Sequence, residues 1–101
     1  MAAKKENTDT QAPAKVTVVL PRALIDLFPG APKDVELAAD TVRDMIEELN
    51  TRWPGMRDRL SDPTPSIRRH LNVFVDGRRA NLMTGLRPGS RIYILTAMSG
   101  G

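Results

Sequence analysis

Cysteine is absent from the 101 residues. That excludes disulfides, thiolate metal centres and a persulfide held on a side chain of this protein. Histidine occurs once, at His70, with no ligand-spaced partner, so it reads as the residue that begins a strand rather than as a metal ligand or a catalytic base. Aromatics are few, two Phe, one Tyr and one Trp, and aliphatic side chains must therefore supply most of any core. No apolar run approaches the length of a signal-peptide core or a membrane span, which points to a cytoplasmic protein with no membrane partner. Ser99 has no base placed beside it by any motif, and the glycine of Arg87-Pro88-Gly89-Ser90 belongs to a turn, not a phosphate loop. No catalytic set remains, and the chain is expected not to be an enzyme.

What is present fits one small domain: 101 residues, 41% hydrophobic, room for a single core. Residues 1–14 mix Ala, Lys, Glu, Asn, Thr, Gln and Pro without periodicity and read as a disordered leader. Lys15 to Pro21 alternates as a strand with Val16, Val18 and Leu20 on its main apolar face. Residues 22–33 form a connection punctuated by Pro29-Gly30 and Pro32, from which Leu24, Leu27 and Phe28 fold back onto the core, and Asp34 to Ala38 pairs with the first strand as a hairpin.

A helix begins at Asp40-Thr41, either of which can cap it, and ends at Pro54-Gly55. Val42, Met45, Ile46, Leu49 and Trp53 share one face, and that spacing makes them the stripe packed on a sheet rather than a ligand pocket. Residues 56–69 are a second loop region, broken by Asp62-Pro63-Thr64-Pro65 and anchored by Leu60 and Ile67. Leu71 to Val75 is a strand closing on Asp76-Gly77, a hairpin signal, and Arg78 to Ala80 returns briefly beside it. Leu82 and Leu86 are further core contacts before the last strand. The reading is α+β, with one main helix on a mixed sheet of four or five strands.

The last strand, centred on Ile92-Tyr93-Ile94-Leu95, runs into Thr96-Ala-Met-Ser-Gly-Gly101. Two glycines cost the most backbone entropy to order, so residues 97–101 are expected to be an extended, flexible tail. Without Cβ atoms Gly100 and Gly101, preceded by Ser99, make that tail thin enough to thread a narrow channel. Gly101 carries an α-carboxylate, ionised at neutral pH with a pKa of roughly 3.5. A carboxylate becomes an acyl donor once it attacks the α-phosphate of ATP, and the tail is therefore expected to enter another enzyme's nucleotide site.

The order Asn72-Val-Phe-Val-Asp-Gly77, Leu86-Arg-Pro-Gly-Ser-Arg-Ile92, strand and Gly100-Gly101 resembles the MoaD/ThiS family of ubiquitin-like sulfur carriers over roughly residues 15–101. The resemblance implies a β-grasp (ubiquitin-like) fold over residues 15–96. It also implies that Gly101 is adenylated by an E1-like enzyme and converted to a thiocarboxylate that donates sulfur to a biosynthetic enzyme. No cofactor is expected on the chain itself, and the ATP belongs to the activating partner. The acceptor lies among a cysteine precursor, molybdopterin, the thiamin thiazole and a thiolated metabolite. Arg59-Leu-Ser-Asp-Pro63 resembles most the carriers of cysteine biosynthesis, whereas the ending departs from the proline-containing approach of MoaD proteins, the small subunits of molybdopterin synthase. A ubiquitin-like modifier joined to lysines through Gly101, and a plain interaction module, stay open as alternatives.

Strand parity places Val19, Phe74 and Tyr93, with Leu95, on the sheet face away from the helix. Either they form a partner-binding patch or the loops at 22–33 and 62–65 cover them. Charge is uneven: from Val16 to Gly55 there are four basic and seven acidic side chains, and from Met56 to Gly101 eight arginines against three aspartates. Arg68, Arg69, Arg78, Arg79, Arg87 and Arg91 are expected either to surround the base of the tail and steer it to an acidic surface or to be ordinary solvated residues. The basic balance comes with no recognition helix and no aromatic-studded basic strand, so nucleic acid is not expected as a partner.

Overall fold

The computed structural model describes residues 13–62, 66–68 and 70–96. The elements run β1 (Lys15–Val19), α1 (Arg22–Leu27), β2 (Asp34–Ala38), α2 (Val42–Arg52), α3 (Met56–Leu60), β3 (Ser61–Asp62), β4 (Ser66–Ile67), β5 (Leu71–Val75), β6 (Arg78–Arg79) and β7 (Arg91–Thr96). Five of the strands form one mixed sheet in the order β2-β1-β7-β5-β6, with β1 and β7 parallel at its centre. The β1–β2 and β5–β7 pairs are antiparallel. With α2 packed on one face, this is the β-grasp arrangement, and residues 1–12 and 97–101 lie outside the described residues.

Helix α2 forms where its residues dictate. Thr41 is extended and its Oγ1 accepts the N–H of Asp44 at 3.1 Å, Asp44 stands in the first turn and Arg52 in the last. Asp40, the alternative cap, turns instead to the start of the domain, where its Oδ1 accepts the N–H of Ala14 at 3.3 Å. Ala14 is itself buried, so the folded body begins inside the stretch read as leader. The N–H groups of Val42 and Arg43, orphans of the first helical turn, donate to the carbonyls of Thr84 and Leu82 at 3.0 Å each. That contact fixes the 81–90 loop against the helix, and it accounts for the burial of Leu82 and Leu86.

The helix-side core gathers Val16, Val18, Val35, Leu37, Val42, Met45, Ile46, Leu49, Val73, Val75, Ile92 and Ile94, and Trp53 packs against its margin. Each fully buried Leu or Ile contributes about 1.5–3 kcal/mol relative to exposure. Two segments read as loops carry short helices. In α1, Leu24 plugs into the core, and in α3 Met56 and Leu60 do the same. Both are too short for a hydrophobic period to register in the sequence. The Asp76-Gly77 hairpin has φ of +49° and +86° at its central residues, the positive values that a two-residue turn matching strand twist requires.

One expectation about the outer face is corrected. Val19 is 8% exposed. It sits on the inner strand β1, flanked in register by Asp34 of β2 on one side and Tyr93 of β7 on the other, so it has no free sheet edge beside it. Val19 therefore offers no surface to a partner.

Candidate functional site: the tail root and the open sheet face

Strand β7 carries the chain out of the domain, and its two ends are built differently. At the start, Asp76 Oδ1 accepts the N–H of Arg91 at 2.9 Å and Oδ2 accepts the Ser90 hydroxyl at 2.9 Å, while Ser90 Oγ accepts the N–H of Arg87 at 3.0 Å. The Arg91 N–H first, and then the Ser90 hydroxyl, hold the Asp76 carboxyl below the ordinary carboxylate range. Gly89 N–H also donates to Lys15 O at 2.8 Å and Thr17 N–H to Ser90 O at 3.0 Å. These bonds pin β7 against both neighbours in one register, so the residue that leaves the sheet is defined. At the other end Thr96 pairs with Leu71, and residues 97–101 follow.

The arginines expected to ring the tail divide between these ends. Arg87 and Arg91 belong to the start of β7, about 17 Å along the strand from Thr96. Arg78 and Arg79 pair with Val75 and Phe74, toward the same start. Arg68 alone of the described set lies at the tail end, and Arg69 lies outside the described residues, as do Ser99, Gly100 and Gly101. A collar of six arginines around the tail is thus not what the fold builds.

A hollow of about 820 Å³ opens at the tail root, lined by Phe28, Arg59, Arg68, His70, Leu71 and Thr96 among others. Arg59, Phe28 and His70 show no connection with the tail in the sequence, because one short helix and two separate loops bring them there.

Among the described residues nothing covers the face of the sheet opposite α2 at Tyr93 and Leu95. Phe74 and Tyr93 are register partners on β5 and β7; Tyr93 is 39% exposed, Leu95 is 45% exposed, and Phe74 is half-buried. The Arg91 guanidinium lies over the Tyr93 ring at 5.9 Å from its centroid, and Arg79 donates to Asn72 Oδ1 beside Phe74. The 22–33 connection does not cover this strip, since Leu24, Phe28 and Ala31 join the core on the helix side. The result is a short apolar strip, rimmed by two arginines, that leads along β7 toward the tail.

The sequence profile of the ThiS family matches residues 18–101. The chain belongs to the ThiS family. The sulfur carrier protein CysO of Mycobacterium tuberculosis is 29% identical to this ThiS-family chain over 92 residues, covering 85% of this chain and 98% of that protein. Among solved structures, a chain of the Amycolatopsis orientalis BexX/CysO complex superposes with a TM-score of 0.77 at 30% identity, covering 85% of this chain and 99% of that one. The small archaeal modifier protein SAMP1 from Haloferax volcanii superposes with a TM-score of 0.72 at 22% identity, over 87% of this chain and 100% of that one, a likeness of fold.

Proposed function

We propose that this ThiS-family chain is a sulfur carrier whose cargo sits on Gly101. The observation that carries the reading is the family match, which runs through residue 101, together with near full-length similarity to CysO sulfur carriers. The fold supports it: a strand pinned at its start by Asp76 delivers the last five residues from a fixed point, Thr96. The absence of cysteine leaves the terminal carboxylate as the group on which sulfur can be held.

In this reading one carboxylate oxygen of Gly101 attacks the α-phosphate of ATP bound by an E1-like enzyme. Pyrophosphate leaves and an acyl-adenylate forms. Hydrosulfide then attacks the acyl carbon, AMP departs, and the product is a thiocarboxylate. Where the sulfur comes from a persulfide, a second thiol reduces the acyl disulfide formed first. The thiocarboxylate sulfur, more nucleophilic than the carboxylate it replaced, attacks an activated carbon held by a biosynthetic enzyme, and hydrolysis of the resulting thioester regenerates the carrier. The similarity to CysO favours an acceptor on the way to cysteine. The chain acts as co-substrate, in the cytoplasm where its ATP-dependent partners work, and the strip of Phe74, Tyr93 and Leu95 with Arg91 is the surface those partners hold. Among the described residues no helix is long and apolar enough to cross a membrane.

Intact-mass measurement after incubation with ATP, an E1-like enzyme and sulfide tests this directly. Replacement of one oxygen by sulfur, localised to Gly101, is the expected result. Unchanged mass, or Gly-Gly remnants in isopeptide linkage on other proteins instead, overturns it.

A further inference from the structure

Five residues, 97–101, join the domain to the terminal carboxylate. Whatever their shape, the carboxylate lies within about 17 Å of Thr96. An enzyme that draws Gly100 and Gly101 into a closed channel leaves three residues, about 10 Å of chain, outside it. The mouth of the channel therefore rests on the end of the domain around Thr96. That end has two sides, because Leu95 and Thr96 point to opposite faces of the sheet. The apolar strip is on the Leu95 side, and the hollow lined by Thr96 itself is on the other.

We propose that this hollow receives an acidic segment carrying an apolar side chain, contributed by the channel mouth of the enzyme that adenylates Gly101, and that it determines which activating enzyme accepts the carrier. The proposal rests on the carrier reading above. Charge sets the chemistry of the occupant. Arg22, Arg52 and Arg57 each engage a carboxylate of their own chain, at 3.6, 3.2 and 2.8 Å. Among the described residues Arg59 and Arg68 face the hollow with no carboxylate within 4.0 Å, and Arg68 spends only its Nε–H on the carbonyl of Asp58, at 2.7 Å. The two guanidinium groups stand against the one carboxylate that lines the hollow, that of Asp58, and the His70 imidazole lies beside them as a further hydrogen-bonding group. Phe28 and Leu71 supply the apolar wall, so a bare anion leaves that wall wet while an acidic segment with an aliphatic neighbour fills both parts.

The test uses the full chain with its E1-like enzyme and follows ATP–pyrophosphate exchange against carrier concentration. Arg59 and His70 are both exposed. The double variant Arg59→Glu/His70→Glu is expected to keep its melting temperature and its kcat while KM rises about tenfold or more. Arg59→Lys is expected to restore most of the affinity, and the wild-type KM to rise with salt more steeply than that of the double variant. An unchanged KM, or a fall in kcat alone, overturns the assignment of the hollow while exchange by the wild-type chain continues to support the carrier reading. Absence of exchange with the wild-type chain overturns both.

Discussion

Asp76 and Arg91 hold each other twice: the Asp76 carboxylate accepts the N–H of Arg91 at 2.9 Å, and the Asp76 N–H donates to the carbonyl of Arg91 at 2.9 Å. Because Asp76 also sits at φ +49°, a residue that tolerates the left-handed region is needed there. The pair fixes the hairpin and the first residue of β7 at one stroke.

Replacing Asp76 by Asn keeps the backbone conformation and removes the charge. We expect a loss of about 1 kcal/mol at neutral pH, modest because the site is at the surface. The folded pKa of Asp76 lies below its unfolded value of 3.8, so its stabilisation is present above that value and is lost as pH falls through the folded pKa. Thermal melts of wild type and Asp76→Asn should therefore differ at pH 7 and converge on acidification below about pH 4. A gap that widens in acid contradicts the arrangement.

The helix-side core is the part of the fold that tolerates least. Leu49, on the middle of α2, is completely buried, and Leu49→Ala is expected to cost about 2–5 kcal/mol, enough to unfold much of a domain this small. Urea titration read by circular dichroism checks the size of the loss. A change below about 1 kcal/mol means that the helix is not seated as described.

This core was legible in advance because α2 and the two central strands each repeat their apolar residues at the period of their own secondary structure. Val42, Met45, Ile46 and Leu49 declare one face of a helix, and Val16, Val18, Ile92 and Ile94 one face of a sheet. The tail at 97–101, read from the diglycine that follows the last strand, lies outside the described residues. What was not legible depends on contacts distant in sequence. The carbonyls of Leu82 and Thr84 cap α2 from about forty residues away, Val19 is buried on a strand whose inner place only the strand order supplies, and α1 and α3, six and five residues long, are too short for a period to read. Of the two readings left open for the arginines, the ring around the tail fails for the same cause: clustered in the second half of the sequence, those described are parted by the length of β7 in the fold.

On the open face, Tyr93→Glu and Leu95→Glu should leave the melting temperature within a few degrees of wild type, because both side chains are already wet. The same changes should weaken binding to the activating enzyme by about tenfold or more, read by titration calorimetry or surface-immobilised carrier. Phe74→Glu is expected to lose stability as well, being half-buried. Unaltered binding by the first two variants removes the strip from the interface.

The division of the arginines gives a paired comparison. Arg78→Glu, near the start of β7, should alter the association rate with the activating enzyme far less than Arg59→Glu, which lines the hollow that Thr96 also lines. Stopped-flow association at low and moderate salt measures both. Equal effects point to a general field rather than a local contact.

The central claim is that the sulfur rides on the last residue, and the absence of cysteine makes it open to one clean measurement. After reaction with ATP, the activating enzyme and sulfide, the chain should take up one equivalent of a thiol-selective alkylating reagent, located by peptide mass spectrometry at Gly101, and a chain lacking Gly101 should take up none. No uptake by the intact chain, or equal uptake after the last residue is deleted, contradicts the account.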